Sequence, residues 1–143
     1  MIIDNKELPI PWKPLNKPLS DCRLALVTTA GVHLADQNPF DVSATEGDAS
    51  YRLLPSNTPF NAYRISHTHY DHSEADKDIN CVFPVTRVQE LVKKGFLGSL
   101  APTNFGFMGF ILKPLLETLK TNAQQVARKL LEQGVDAVLL TPG

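Results

Sequence analysis

The chain has 143 residues, enough for one domain with a real core, and folding at that length removes roughly 68–70% of the unfolded surface from water. Its composition, 43% hydrophobic and 20% charged, is that of an ordinary globular protein, and a net charge of −1 argues against nucleic acid and anionic lipid as partners. No stretch approaches the roughly 20 apolar residues of a membrane span, the N-terminus lacks a signal-peptide pattern, and Cys22 and Cys81 have no framework spacing. The expected compartment is therefore the reducing cytoplasm.

Residues 1–20 read as a proline-rich N-terminal arm, with Pro9, Pro11, Pro14 and Pro18 around Trp12. Proline fixes φ and removes a donor, so the arm is expected to be extended and Trp12 to anchor it. Residues 21–143 read as an α/β domain. Cys22 to Thr29 is its first strand, and Ala30 to His33 the loop at that strand's carboxyl end. Asp36 to Pro59 has loop composition, although Gly47 to Pro55 sets Arg52 among apolar residues and should be ordered. Ala62 to Thr68 is a second, weaker strand that runs into His67-Thr68-His69-Tyr70-Asp71-His72.

Thr86 and Gln89 have capping-box spacing at the start of a helix that Gly95 closes. A third strand is expected within Phe96 to Phe105, centred on Leu97 to Leu100. From Leu112 to Leu131 apolar residues recur at three- and four-residue steps, the stripe of a helix lying on a sheet, with Pro114 in its first turn and Gly134 at its C-terminal cap. Val135 to Leu140 is almost unbroken apolar sequence, as in a strand buried on both faces of a parallel sheet, and Thr141-Pro142-Gly143 opens its loop. The alternation predicts a Rossmann-like or flavodoxin-like three-layer sandwich around a mostly parallel sheet, incomplete at its C-terminal end. In such a fold Ala30–His33, His67–His72, Asn104–Gly109 and Thr141–Gly143 share one sheet edge, where ligands bind.

Several residues carry candidate chemistry. His33 and His67 follow strands and are either pocket residues or ordinary structural histidines. Arg52 can hold a carboxylate bidentately or pair with Asp48. Asp78 and Asn80 are candidates for substrate binding or turn-formers, and Cys81 is more naturally a small hydrophobe than a nucleophile. His67, His69, Asp71 and His72 have the His-x-His-x-Asp-His spacing of a metallo-β-lactamase zinc site, the basis of an alternative reading as a metal-dependent hydrolase. No histidine follows His72 to complete that site. A non-catalytic α/β binding module is the third reading. The glycines of Phe105-Gly106-Phe107-Met108-Gly109 lack a dinucleotide fingerprint.

Taken in order, Leu26–His33, Gly47-Asp48…Arg52…Pro55, Ser66-His67, Asp78–Pro84, Phe107-Met108-Gly109 and Gly134–Leu140 resemble the selenoprotein B family of glycine, sarcosine, betaine and D-proline reductases, especially its short proline-reductase type. The resemblance implies reductive cleavage of an amino-acid carbon–nitrogen bond by a selenocysteine, or a cysteine in its place, in the loop after the last strand. It also implies that the catalytic group lies just after Gly143 and that the chain stops at a selenocysteine codon. In that family a pyruvoyl group on a partner subunit activates the substrate nitrogen; this chain itself is expected to bind no cofactor and no metal. His33 and His67 are then expected to support catalysis, Arg52, Asp78 and Asn80 to bind substrate, and the uncovered last strand to favour a homo-oligomer.

Overall fold

The computed structural model describes residues 13–143, so Trp12, Pro9 and Pro11 of the arm lie outside the described residues. Within the arm, Lys17 reaches across to Asp136 at 2.7 Å, and the Cys22 thiol donates to the Pro18 carbonyl.

The fold is mixed α/β, built on a mostly parallel sheet. β1 (Arg23–Thr28) lies at its centre because its side chains are apolar on both faces. Along one side it pairs in parallel with β7 (Ala137–Thr141) over its whole length, from Leu24↔Ala137 to Thr28↔Thr141. Along the other it pairs first with β5 (Ser99–Leu100) and then with β6 (Thr103–Phe107), both parallel. The expected third strand is thus two pieces broken at Ala101-Pro102, and the longer one begins where the prediction was ending. A proline cannot donate to a ladder, which accounts for the break.

Asn104, fully buried, repairs the gap. Its Oδ1 accepts from Leu26 N–H at 2.8 Å, and its Nδ2 donates to Ser56 Oγ at 2.7 Å and to Leu54 C=O at 3.3 Å. β3 (Tyr51–Pro55) forms the antiparallel edge against β6. It lies inside the expected loop and accounts for the predicted order around Arg52.

The expected second strand is β4 (Tyr63–Ile65), and it does not join the main sheet. It pairs antiparallel with β2 (Val32–Leu34), the stretch expected to be the loop after β1. Alternation along β1 sends Leu24 and Leu26 to one face and Val27 to the other. The first face carries the larger core, with Val32, Leu54, Tyr63, Phe83, Val85 and Val88, beneath α2 (Val85–Lys93) and the short α1 (Ser73–Lys77). The second carries Phe105 and Phe107 under Val126, Leu119 and Leu130 of α3 (Leu116–Glu132). The predicted stripe of α3 therefore splits: Leu131 is 73% exposed while Val126 is buried.

Both expected glycine caps are present. Gly95 and Gly134 have φ of 76° and 66°, and the residues after them, Phe96 and Val135, bond back to Leu91 and Leu130. The capping box is corrected: Pro84 precedes α2, and it is Asn80 that accepts from the Thr86 backbone and hydroxyl. β7 is corrected as well. Its middle residues, Val138, Leu139 and Leu140, are exposed, because among the described residues only β1 pairs with it.

Candidate functional site

Four stretches far apart in sequence meet at the carboxyl ends of β1, β6 and β7. Gly31 sits at their centre. With φ at 74°, it donates to the Phe107 carbonyl at 2.8 Å and accepts from Ser66 N–H at 2.9 Å. A Cβ at Gly31 would stand 2.3 Å from the Ser66 carbonyl oxygen, so only glycine allows this approach. Ala30 bridges Met108, and a Cβ at Gly143 would lie 2.3 Å from the Ala30 Cα. Thr28 and Thr141, register partners on β1 and β7, both donate to the Val82 carbonyl, at 2.9 and 2.6 Å. That clasp draws the Asp78–Phe83 segment to the same edge. The expected convergence is present, but β4 reaches it by turning back beside β2.

His33 is buried, and both of its ring nitrogens are engaged. Nδ1 lies 2.8 Å from Leu34 C=O and Nε2 2.9 Å from Ser66 Oγ. A carbonyl only accepts, so the neutral ring carries its proton on Nδ1 and the Ser66 hydroxyl donates to Nε2. His67 has the opposite tautomer. Its Nδ1 accepts from His69 N–H at 3.0 Å, which places the proton on Nε2, a buried atom with no hydrogen-bond partner among the described residues. Burial first, then the neighbouring His69 and His72, hold its pKa below the usual histidine value. Tyr70 covers this corner, its ring 4.8 Å from that of His67 and its hydroxyl on Ala30 C=O at 3.0 Å. Burial, with the Asp76 charge, pushes that phenol up to about 12, so it remains a donor.

Arg52 is tied to its own loop. It donates to Asn38, Pro39 and Tyr51 carbonyls and to Ser50 Oγ, faces Asp48 at 3.7 Å and lies over the Phe40 ring. Of the two readings left open, the ion pair with Asp48 is the one formed, and the fork has little left for a substrate carboxylate. Asp78 Oδ1 likewise accepts from the Asn80 backbone and amide, and those bonds lower its pKa. The Asp78–Asn80 pair is thus a turn that caps α2.

The zinc-like motif does not assemble. His69 stacks on Phe110 with ring centroids 3.5 Å apart, Asp71 caps Ser73 N–H, and His72 pairs with Asp76 at 2.7 Å. Among the described residues no three His, Cys, Asp or Glu groups converge as metal ligands. Cys81 is exposed rather than buried. Ser66 and Asn104 were passed over as functional or structural residues in their own right; each is defined by a partner more than thirty positions away.

The chain is an α/β protein in which several distant segments meet at the carboxyl ends of parallel strands, the edge at which open α/β sheets commonly hold ligands. Its family is specific: the chain belongs to the glycine/sarcosine/betaine reductase selenoprotein B family, which matches residues 4–143. It is similar to the D-proline reductase subunit gamma of Acetoanaerobium sticklandii, 43% identical over 92% of this chain and 53% of that protein. It is also similar to the glycine reductase complex component B subunit gamma of Symbiobacterium thermophilum, 28% identical over 92% of this chain and 31% of that protein. The sarcosine reductase complex component B subunit beta of Peptoclostridium acidaminophilum is 26% identical over 92% and 30%. The chain therefore spans between about a third and a half of these relatives' lengths. No solved structure matches it. Among the described residues no helix is long and apolar enough to cross a membrane.

Proposed function

We propose that this chain is the N-terminal part of the substrate-reducing subunit of a selenium- or thiol-dependent amino-acid reductase, cleaving a carbon–nitrogen bond in a substrate of the D-proline or glycine/betaine type. The observation that carries this reading is the convergence of Gly31, Ser66-His67, Met108 and Gly143 on one sheet edge. The 43% identity to a D-proline reductase subunit favours the proline type. A selenocysteine or cysteine just after Gly143 would stand at this edge as the nucleophile. A chalcogen anion suits the step because it both attacks carbon and leaves readily.

The chain's own share is to seat the substrate. His67 Nε2–H offers a hydrogen bond to an acceptor, and His33 sits behind Ser66. Electrophilic activation of the nitrogen would come from the pyruvoyl group of a partner subunit. In its complete form the fold is a Rossmann-like or flavodoxin-like three-layer sandwich in the cytoplasm. Alone, the uncovered β7 makes the chain self-associate. The test is the coding sequence after Gly143: an in-frame UGA followed by more α/β pattern, and reduction of D-proline or glycine by the full-length subunit with its partner. A different stop codon, or a complete complex that reduces neither, would overturn the reading.

A further inference from the structure

Among the described residues β4 is paired on one side only. Ser66 N–H bonds to Gly31 C=O and Ala35 N–H to Ala62 C=O, so the alternation of an antiparallel ladder turns the backbone of Tyr63 and Ile65 away from β2. A cavity of about 440 Å³ lies along this strand, its other walls including Ala75 and Asp76 of α1 and Ile79. Tyr63 and Ile65 line it from one face of the strand and Arg64 from the other, which places it on the open edge itself. None of Gly31, Ser66, His67, Met108 or Gly143 lines it.

Arg64 gives this cavity its chemistry. Its Nη1 donates to the Asn61 and Tyr63 carbonyls, at 2.8 and 2.7 Å. Those two bonds hold the guanidinium in place and leave Nε–H and Nη2–H without a partner among the described residues. Arg52 and Arg87, by contrast, face Asp48 and Glu90. Nε–H and Nη2–H are parallel donors on one edge of a plane, the pair that meets both oxygens of a carboxylate. Ile65 N–H, on the same open edge, is a further donor. Tyr63 C=O is already taken by Arg64, so an added peptide strand would find its ladder interrupted, and the occupant that fits is a small molecule. The rest of the lining is mainly apolar, with Phe60 44% exposed and Ala75 and Ile79 buried. Asp76, its Oδ2 on His72 Nδ1, repels a second carboxylate.

We propose that this cavity binds a small monocarboxylate with an apolar body, its carboxylate held side-on by Nε and Nη2 of Arg64 and its chain laid against Phe60 and Ile79. The volume is within the range of small-molecule sites, about 300–1,000 Å³. A simple branched acid and an amino acid with an apolar side chain share this chemistry. They differ in whether an ammonium reaches Asp76 Oδ1, which has no partner among the described residues.

The test is titration calorimetry on the full chain carrying this sequence, with amide NMR to locate the site. Isocaproate should bind with a dissociation constant of about 1 mM or tighter and shift the Ile65 amide resonance. Arg64→Lys keeps a cation but loses the planar pair, and should weaken binding about 10–100-fold. Phe60→Ala leaves Arg64 untouched and should weaken it about threefold to tenfold. Glutarate, with a second carboxylate, and isoamylamine, with none, should each bind at least about tenfold more weakly than isocaproate. Leucine binding tighter than isocaproate assigns the ligand as an amino acid with its ammonium on Asp76, and the reverse assigns a simple acid. No heat and no Ile65 shift at about 10 mM isocaproate, an Arg64→Lys chain that binds like wild type, or isoamylamine binding as tightly as the acid overturns the proposal. An inactive reductase complex leaves these outcomes unaffected, because binding is read on the chain itself.

Discussion

β1 and β7 lie side by side in register and are about equally apolar, yet their surroundings are opposite. Leu26 of β1 is fully buried, whereas its neighbour Leu139 on β7 is 40% exposed and Leu140 70%. The difference lies in what flanks each strand. β1 has a strand on either side and a core on either face, while β7 is held by β1 alone among the described residues. An apolar run thus states what a strand can bury, and its neighbours decide what it does bury.

Truncating one residue on each strand breaks this comparison most sharply. Leu26→Ala should destabilise the protein by about 3 kcal/mol, the usual cost of a core cavity. Leu140→Ala should stay within about 0.5 kcal/mol. Urea melts of both variants measure the contrast, and equal losses would mean that β7 is covered in solution. Charging the open strand tests that covering directly: Leu140→Lys should leave the melt nearly unchanged and abolish self-association in sedimentation.

Asn104→Leu comes next. It leaves the Leu26 N–H and Leu54 C=O without their side-chain partner inside the sheet, and should cost about 2–3 kcal/mol although it adds apolar bulk. A stability equal to wild type would show that β5 and β6 need no bridge. Gly31→Ala should cost about 2 kcal/mol, from its positive φ and the clash with Ser66. It should also shift the Ser66 amide resonance, because the loop must move away.

The smallest effect is the acid dependence of His67. Its folded pKa is lowered, so the unfolded state binds the proton first as pH falls. Its contribution to stability is full above the unfolded value of 6.5 and is lost as pH falls through the folded one. His67→Gln should flatten that part of the pH–stability curve. His67→Asn places its acceptor where Nδ1 was, so it should keep the turn to His69 N–H while losing the Nε2 donor. The two variants together separate folding from ligand seating.

Legibility followed sequence distance. The α3 pattern, the Gly95 and Gly134 caps and the β1 and β7 runs are local signals, and their elements stand where they were expected. β3 lay hidden inside loop-like composition, since an edge strand of five residues needs little pattern of its own. β2 and β4 were misplaced because apolar sequence does not say which strand is a neighbour. The six-residue histidine motif was loud, yet His69, Asp71 and His72 turned to Phe110, Ser73 and Asp76 instead of converging on one point.

By itself, the sequence determined that the chain alternates strands and helices, where its long helix and two capped turns fall, and to which family its ordered motifs belong. Only the tertiary structure decided that Arg52 and Asp78 are engaged within their own loops, that His33 and His67 carry their protons on opposite nitrogens, and that Ser66 Oγ meets His33 Nε2. Side-chain periodicity is set by neighbours a few residues away. A tautomer is set by whichever donor or acceptor the fold brings to each ring nitrogen, and at His33 Nε2 that partner comes from thirty-three positions along the chain.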